Sequence, residues 1–242
     1  MWHFCFYKHI LYGAAVTFGL ESANVVGYQE ITLKPGYNIF APTFDGVSAT
    51  LDIQDIKLQG VPGDGSDVIW VLDSDGIVTG DTYYWFSKEI TGAATDFWSA
   101  DGETPLKRPI VSGEGFYVYT ESEEASVMVS GSVKIGNYSK NLIPGYNLTG
   151  NFSPIAQNIQ NLTLSGVPGD GSDVIWVLDS DGIVTGETYY WFSKDVTGAD
   201  KDFWSADGEN PLDLTFEPGE GIYLYTEATD AKINLPAVIP AN

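Results

Sequence analysis

The clearest pattern along the chain is an alternation between short apolar runs and clusters of Asp, Gly and Ser. Val68-Ile69-Trp70-Val71-Leu72 has the length and β-branched content of a buried strand. It stops at Asp73-Ser74-Asp75-Gly76, whose glycine suits the positive φ of a hairpin turn. Ile77 to Phe86 then reads as a second, longer strand ending in four consecutive aromatic residues. Further strands are expected over residues 25–33, 37–44, 51–58, 115–120 and 125–130, with turn residues between them. In Phe116-Tyr117-Val118-Tyr119 one alternate pair should face the core and the other the surface. No stretch of 12 or more residues carries a helical stripe.

The same pattern occurs twice. Residues 60–106 recur as residues 166–212, and only six of the 47 positions differ: Asp81/Glu187, Glu89/Asp195, Ile90/Val196, Ala94/Asp200, Thr95/Lys201 and Thr104/Asn210. Gly36-Tyr37-Asn38 matches Gly145-Tyr146-Asn147, and Gly113-Glu114-Gly115 matches Gly219-Glu220-Gly221. The repeats run over residues 24–131 and 132–242, each of ordinary domain size. Six to eight short strands per repeat predict an all-β protein built as two tandem, near-duplicate small β-sandwich or partly open barrel domains.

Ahead of the repeats, residues 10–20 are uncharged and apolar, with Lys8 and His9 before them and Glu21-Ser22-Ala23 after. That order predicts a secretory signal peptide over residues 1–23, shorter than the ~20 apolar residues that span a bilayer. The expected location is secreted, periplasmic or at the cell surface. Cleavage near Ala23 would remove Cys5, His3 and His9, the only cysteine and histidines of the sequence. Disulfides, Cys nucleophiles, Ser-His-Asp triads and His or Cys zinc sites are then excluded from the mature chain.

Charge narrows the partners. Eleven basic residues against 33 acidic ones give a net charge of −22, a field that repels nucleic acid and anionic membrane surfaces. The carboxylates concentrate in the turns: Asp64, Asp67, Asp73 and Asp75 recur as Asp170, Asp173, Asp179 and Asp181. Hard oxygen ligands in Gly-rich loops suit Ca²⁺, and the same residue types also build turns with no metal, so the expected cofactor is none or Ca²⁺. The duplicated aromatic residues Tyr83, Trp85 and Trp98, with Tyr189, Trp191 and Trp204, are candidates for sugar-stacking rings or for core. Stacking rings beside Asp and Asn would take a neutral or basic glycan or a glycoprotein, and two copies would give bivalent capture. Asn137, Asn147, Asn151 and Asn161 begin Asn-X-Ser/Thr sequons in the second repeat, which matter only in a eukaryotic secretory pathway.

Two resemblances add expectations. Asp73-Ser74-Asp75-Gly76 and Asp179-Ser180-Asp181-Gly182, each after an apolar run, locally resemble pepsin-type aspartic proteases, in which two related lobes each present such a segment. That resemblance implies Asp73 and Asp179 as a catalytic pair sharing one proton. The overall order, a signal peptide, a strand ending in Gly-Tyr-Asn, an Asp-rich hairpin and a Gly-X-Gly aromatic strand, resembles tandem β-repeat domains of exported bacterial proteins. It implies fold and export, and a binding or structural module as the leading function.

Overall fold

A computed structural model describes residues 26–45, 50–72, 78–178 and 184–239. In the first repeat the strands are β1 Val26–Thr32, β2 Gly36–Phe40, β3 Lys57–Gln59, β4 Asp64–Leu72, β5 Val78–Phe86, β6 Phe97–Ser99, β7 Phe116–Thr120 and β8 Ser126–Ser132. The second contains β9 Tyr138–Asn141, β10 Gly145–Gly150, β11 Gln157–Asn158, β12 Thr163–Ser165, β13 Asp170–Leu178, β14 Val184–Phe192, β15 Phe203–Ser205, β16 Thr215–Phe216, β17 Gly221–Thr226 and β18 Lys232–Leu235. About 49% of the described residues are in strands and 7% in helix, so the protein is all-β.

Each repeat forms a three-stranded and a five-stranded antiparallel sheet in the same order. β1-β8-β3 corresponds to β9-β18-β12, and β2-β7-β4-β5-β6 to β10-β17-β13-β14-β15. β11 and β16 add a two-stranded ribbon, and the four larger sheets stand in a propeller-like ring of four blades. Alternation supplies the cores. In β7, Phe116 and Val118 point inward and Tyr117 and Tyr119 outward, and β17 repeats this with Ile222 and Leu224 against Tyr223 and Tyr225. One buried cluster draws Leu58, Val127 and Val129 from the small sheet and Ile69, Trp85 and Trp98 from the large one. Its counterpart holds Leu164, Ile233, Ile175, Trp191 and Trp204.

The expected strand over residues 51–58 is broken by a 3₁₀ turn at Ile53–Asp55, and strand resumes only with the three residues of β3. A capping box explains the break: Asp52 accepts from Gln54 N at 3.0 Å while Asp55 accepts from Asp52 N at 2.9 Å, so local side chains compete with the ladder. The turn positions Gln54, which donates to the carbonyls of Trp98 and Leu106, both at 2.8 Å, and accepts from Trp98 N at 3.0 Å. Gln160 repeats all three bonds with Trp204 and Leu212. The Gly-Tyr-Asn motif is a loop tie. Gly36 and Gly145 adopt φ of 96° and 98°, and Asn38 and Asn147 bond both the N–H and the carbonyl of residues 34 and 143.

The repeats are bonded to each other. Ala41 N donates to Gly219 O at 3.0 Å, Gly115 N to Leu148 O at 3.0 Å, and the Gln29 amide to Pro218 O at 2.6 Å. Lys140 Nζ reaches across to Gly113 O at 3.0 Å and also holds Leu148 O at 2.9 Å, and burial lowers its pKa to about 8.

Candidate functional site

The outer faces of the two five-stranded sheets carry the candidate site. In the first sheet the ladder pairs Tyr37 with Tyr119, and Trp70 with Tyr117, which places all four rings on one face. Tyr37 stacks on Trp70 with centroids 5.7 Å apart and meets Tyr119 at 5.0 Å and Tyr117 at 6.4 Å. The second sheet repeats the arrangement. Tyr146 lies 6.0 Å from Trp176, 5.0 Å from Tyr223 and 5.0 Å from Tyr225. Tyr37 is 36% exposed, and the other seven rings are half-buried.

The two patches adjoin. β10 lies near β2, β7 and β4, and β17 near β2, so the two five-stranded sheets are in contact. There Gly115 lies against the Leu148 backbone, and Gly221 against Ile39. Burial, and to a lesser degree the electrostatic influence of Tyr223, push the Tyr117 hydroxyl well above the ordinary tyrosine value. At the margin of each patch a tyrosine hydroxyl donates to an exposed carboxylate: Tyr119 to Glu121 at 3.1 Å and Tyr225 to Glu227 at 3.0 Å. A polar hollow of about 430 Å³, lined by Glu187, Thr188, Tyr189, Tyr190 and Ala206, opens beside the second patch, where Thr188 pairs with Trp176.

The six rings expected at the surface lie elsewhere. Tyr83, Trp85, Trp98, Tyr189, Trp191 and Trp204 are all at most 6% exposed and belong to the cores. Trp85 packs on Trp98 at 5.1 Å and Trp191 on Trp204 at 5.2 Å, while the Trp98 indole N–H is spent on Ile56 O at 2.8 Å. In β5 it is Tyr84 and Phe86 that stay half-exposed. With four aromatic residues in succession, no polar position fixed which alternate pair faced inward.

The carboxylates divide the same way. Asp64 accepts from Ser66 N at 3.0 Å and Ser66 Oγ at 2.6 Å, and Asp170 does so from Ser172, which is turn chemistry. Asp67 and Asp173 are 1% exposed and bonded by Thr120 and Thr226, each with its Oδ2 unpaired. Asp73, Asp75, Asp179 and Asp181, the remaining expected calcium ligands and, in Asp73 and Asp179, the expected catalytic pair, lie outside the described residues. Among the described residues no group of three or more His, Cys, Asp or Glu side chains is placed to hold a metal ion. Two sequons are engaged internally: Asn147 and Asn151 are buried, and Asn151 donates to Ile155 O at 2.9 Å and Phe216 O at 3.0 Å.

Desolvation raises the pKa of both Asp67 and Asp173, outweighing their threonine bonds. A raised folded pKa means that the contribution of each group to stability is present below the unfolded value of 3.8 and is lost as the pH rises through the folded value. Asp67→Asn and Asp173→Asn keep the threonine bond and remove the charge. Each should therefore raise stability at pH 7, because the charge that the buried site desolvates is gone while an uncharged amide takes its place. Denaturation midpoints measured from pH 3 to pH 8 check this, and an equal midpoint in variant and wild type at pH 7 would refute it.

Compared with known proteins, the chain matches no family model, no curated protein and no solved structure. The reading of its function therefore rests on the geometry above.

Proposed function

We propose that the protein is an exported binding module whose two β-sandwich repeats present joined aromatic faces to a neutral or basic glycan. The observation that carries this reading is the duplicated set of four tyrosine and tryptophan rings, each set in mutual ring contact and none of its rings fully buried. Aromatic faces stack on the C–H faces of sugar rings, while hydroxyls and carboxylates at the edge exchange hydrogen bonds with sugar hydroxyls. Tyr119–Glu121 and Tyr225–Glu227 supply such groups. The net charge of −22 disfavours sulfated or sialylated chains.

A second reading is structural. The proximity of Tyr117 and Tyr223 where the repeats meet supports these rings as inter-repeat packing alone. Retention on insoluble neutral polysaccharides separates the two. The glycan reading expects wild type to be retained and Trp70→Ala and Trp176→Ala to lose most of that retention. Absence of retention on every neutral polysaccharide tested would leave the structural reading.

A further inference from the structure

The two repeats fill one position differently. Arg108 and Leu214 are equivalents, 106 residues apart, and their backbones are held alike: Ile53 N donates to Arg108 O at 2.9 Å and Ile159 N to Leu214 O at 2.8 Å. In the first repeat the Arg108 guanidinium lies over the Phe116 ring at 5.3 Å and pairs with Glu114 through Nη2. It also faces the Tyr83 hydroxyl, which in turn faces Asp81.

The second repeat keeps the groups that receive this cation. Glu220 is set as Glu114 is, since Val111 N donates to Glu114 Oε2 at 3.1 Å and Glu217 N to Glu220 Oε2 at 2.9 Å. Tyr189 duplicates Tyr83 and donates its hydroxyl at 3.0 Å to Glu187, the counterpart of Asp81. Leu214, however, packs on the buried cluster and brings no charge. The electrostatic consequence is clear. Burial first, then Glu187 and Glu220, push the Tyr189 hydroxyl up to about 12, whereas Arg108 draws the Tyr83 hydroxyl down against its burial. Desolvation raises the Glu220 carboxyl, and Lys34 offsets this only in part. Glu187 and Tyr189 line the hollow of about 430 Å³, so a ligand can reach them from the surface.

We infer that the second repeat binds the guanidinium of an arginine side chain of a partner protein between Glu187 and Glu220, beside the Tyr189 hydroxyl, in the place that Arg108 fills in the first repeat. A guanidinium is planar and permanently charged, and its forked donors can serve two carboxylates and a hydroxyl oxygen together. The net charge of −22 draws a basic partner toward it. This site does not depend on the glycan reading.

Isothermal titration calorimetry of the full chain with N-acetyl-arginine methylamide, and with its lysine and uncharged citrulline counterparts, tests this. One arginine analogue per chain is expected. The lysine and citrulline analogues should bind about tenfold more weakly, the size of one lost charge-assisted hydrogen bond. Glu187→Gln and Glu220→Gln should each weaken arginine binding by about the same factor. Leu214→Arg, which supplies the guanidinium from within the chain, should abolish it. Absence of arginine binding, equal binding of either counterpart, or wild-type affinity in Glu220→Gln would overturn the inference. Two arginine analogues per chain would overturn it also, because Arg108 should close the first repeat to a ligand. The two glutamine variants keep the side-chain shape, so the test stands if Leu214→Arg fails to fold.

Discussion

Trp98→Ala should cost about 3–5 kcal/mol, a large part of the 5–15 kcal/mol typical of a folded protein. The side chain is fully buried, lies 5.1 Å from Trp85 and donates its indole N–H to Ile56 O at 2.8 Å. Truncation leaves a cavity and strands that carbonyl. Trp204→Ala should behave alike, since Trp204 is equally buried and donates to Leu162 O. The two rings belong to separate buried clusters, so their costs should add in the double variant. Urea denaturation measures both, and a loss below about 1 kcal/mol would contradict the packing described.

The second large effect is expected at the contact between the repeats. Gly115→Ala and Gly221→Ala each force a methyl group into backbone of the other repeat, for an overpacking cost of about 1–3 kcal/mol. Gly221→Ala should cost more, because its methyl would come within 2.6 Å of the Ile39 carbonyl carbon and nearer still to the Ile39 side chain, against 2.8 Å from the Leu148 backbone at Gly115. Separating the faces should return the Tyr117 hydroxyl toward its ordinary pKa of 10.0, since burial and Tyr223 are what raise it. Ultraviolet difference titration of the tyrosines reads that change. A stability loss with an unaltered tyrosine titration would place the damage within one repeat and not at the contact.

Much of the architecture was legible in the sequence because strands alternate with period two. The runs at residues 68–72, 77–86 and 115–120 became β4, β5 and β7, and the inward and outward residues of β7 follow from polarity alone. The 3₁₀ turn at Ile53–Asp55 was hidden, because its apolar residues also fit a strand and its cause is side-chain capping. The site was only half legible. Tyr117 and Tyr119 were readable as an outward pair, whereas Tyr83 to Phe86 gave no phase. Tyr37, Trp70, Tyr146 and Trp176 sit in segments whose exposure depends on register with neighbouring strands, which one sequence does not specify. The contact between repeats was not legible either, since nothing local in Gly115 or Gly221 names its partner.

Intrinsic tryptophan fluorescence tests the central claim most directly, because Trp70 and Trp176 are half-exposed while Trp85, Trp98, Trp191 and Trp204 are buried. Saturating neutral oligosaccharide should shift the emission to shorter wavelength and shield it from an aqueous quencher. Both changes should disappear in the Trp70→Phe, Trp176→Phe double variant. Binding that leaves the emission unchanged, or a shift that persists in the double variant, would contradict a glycan site on the outer aromatic faces.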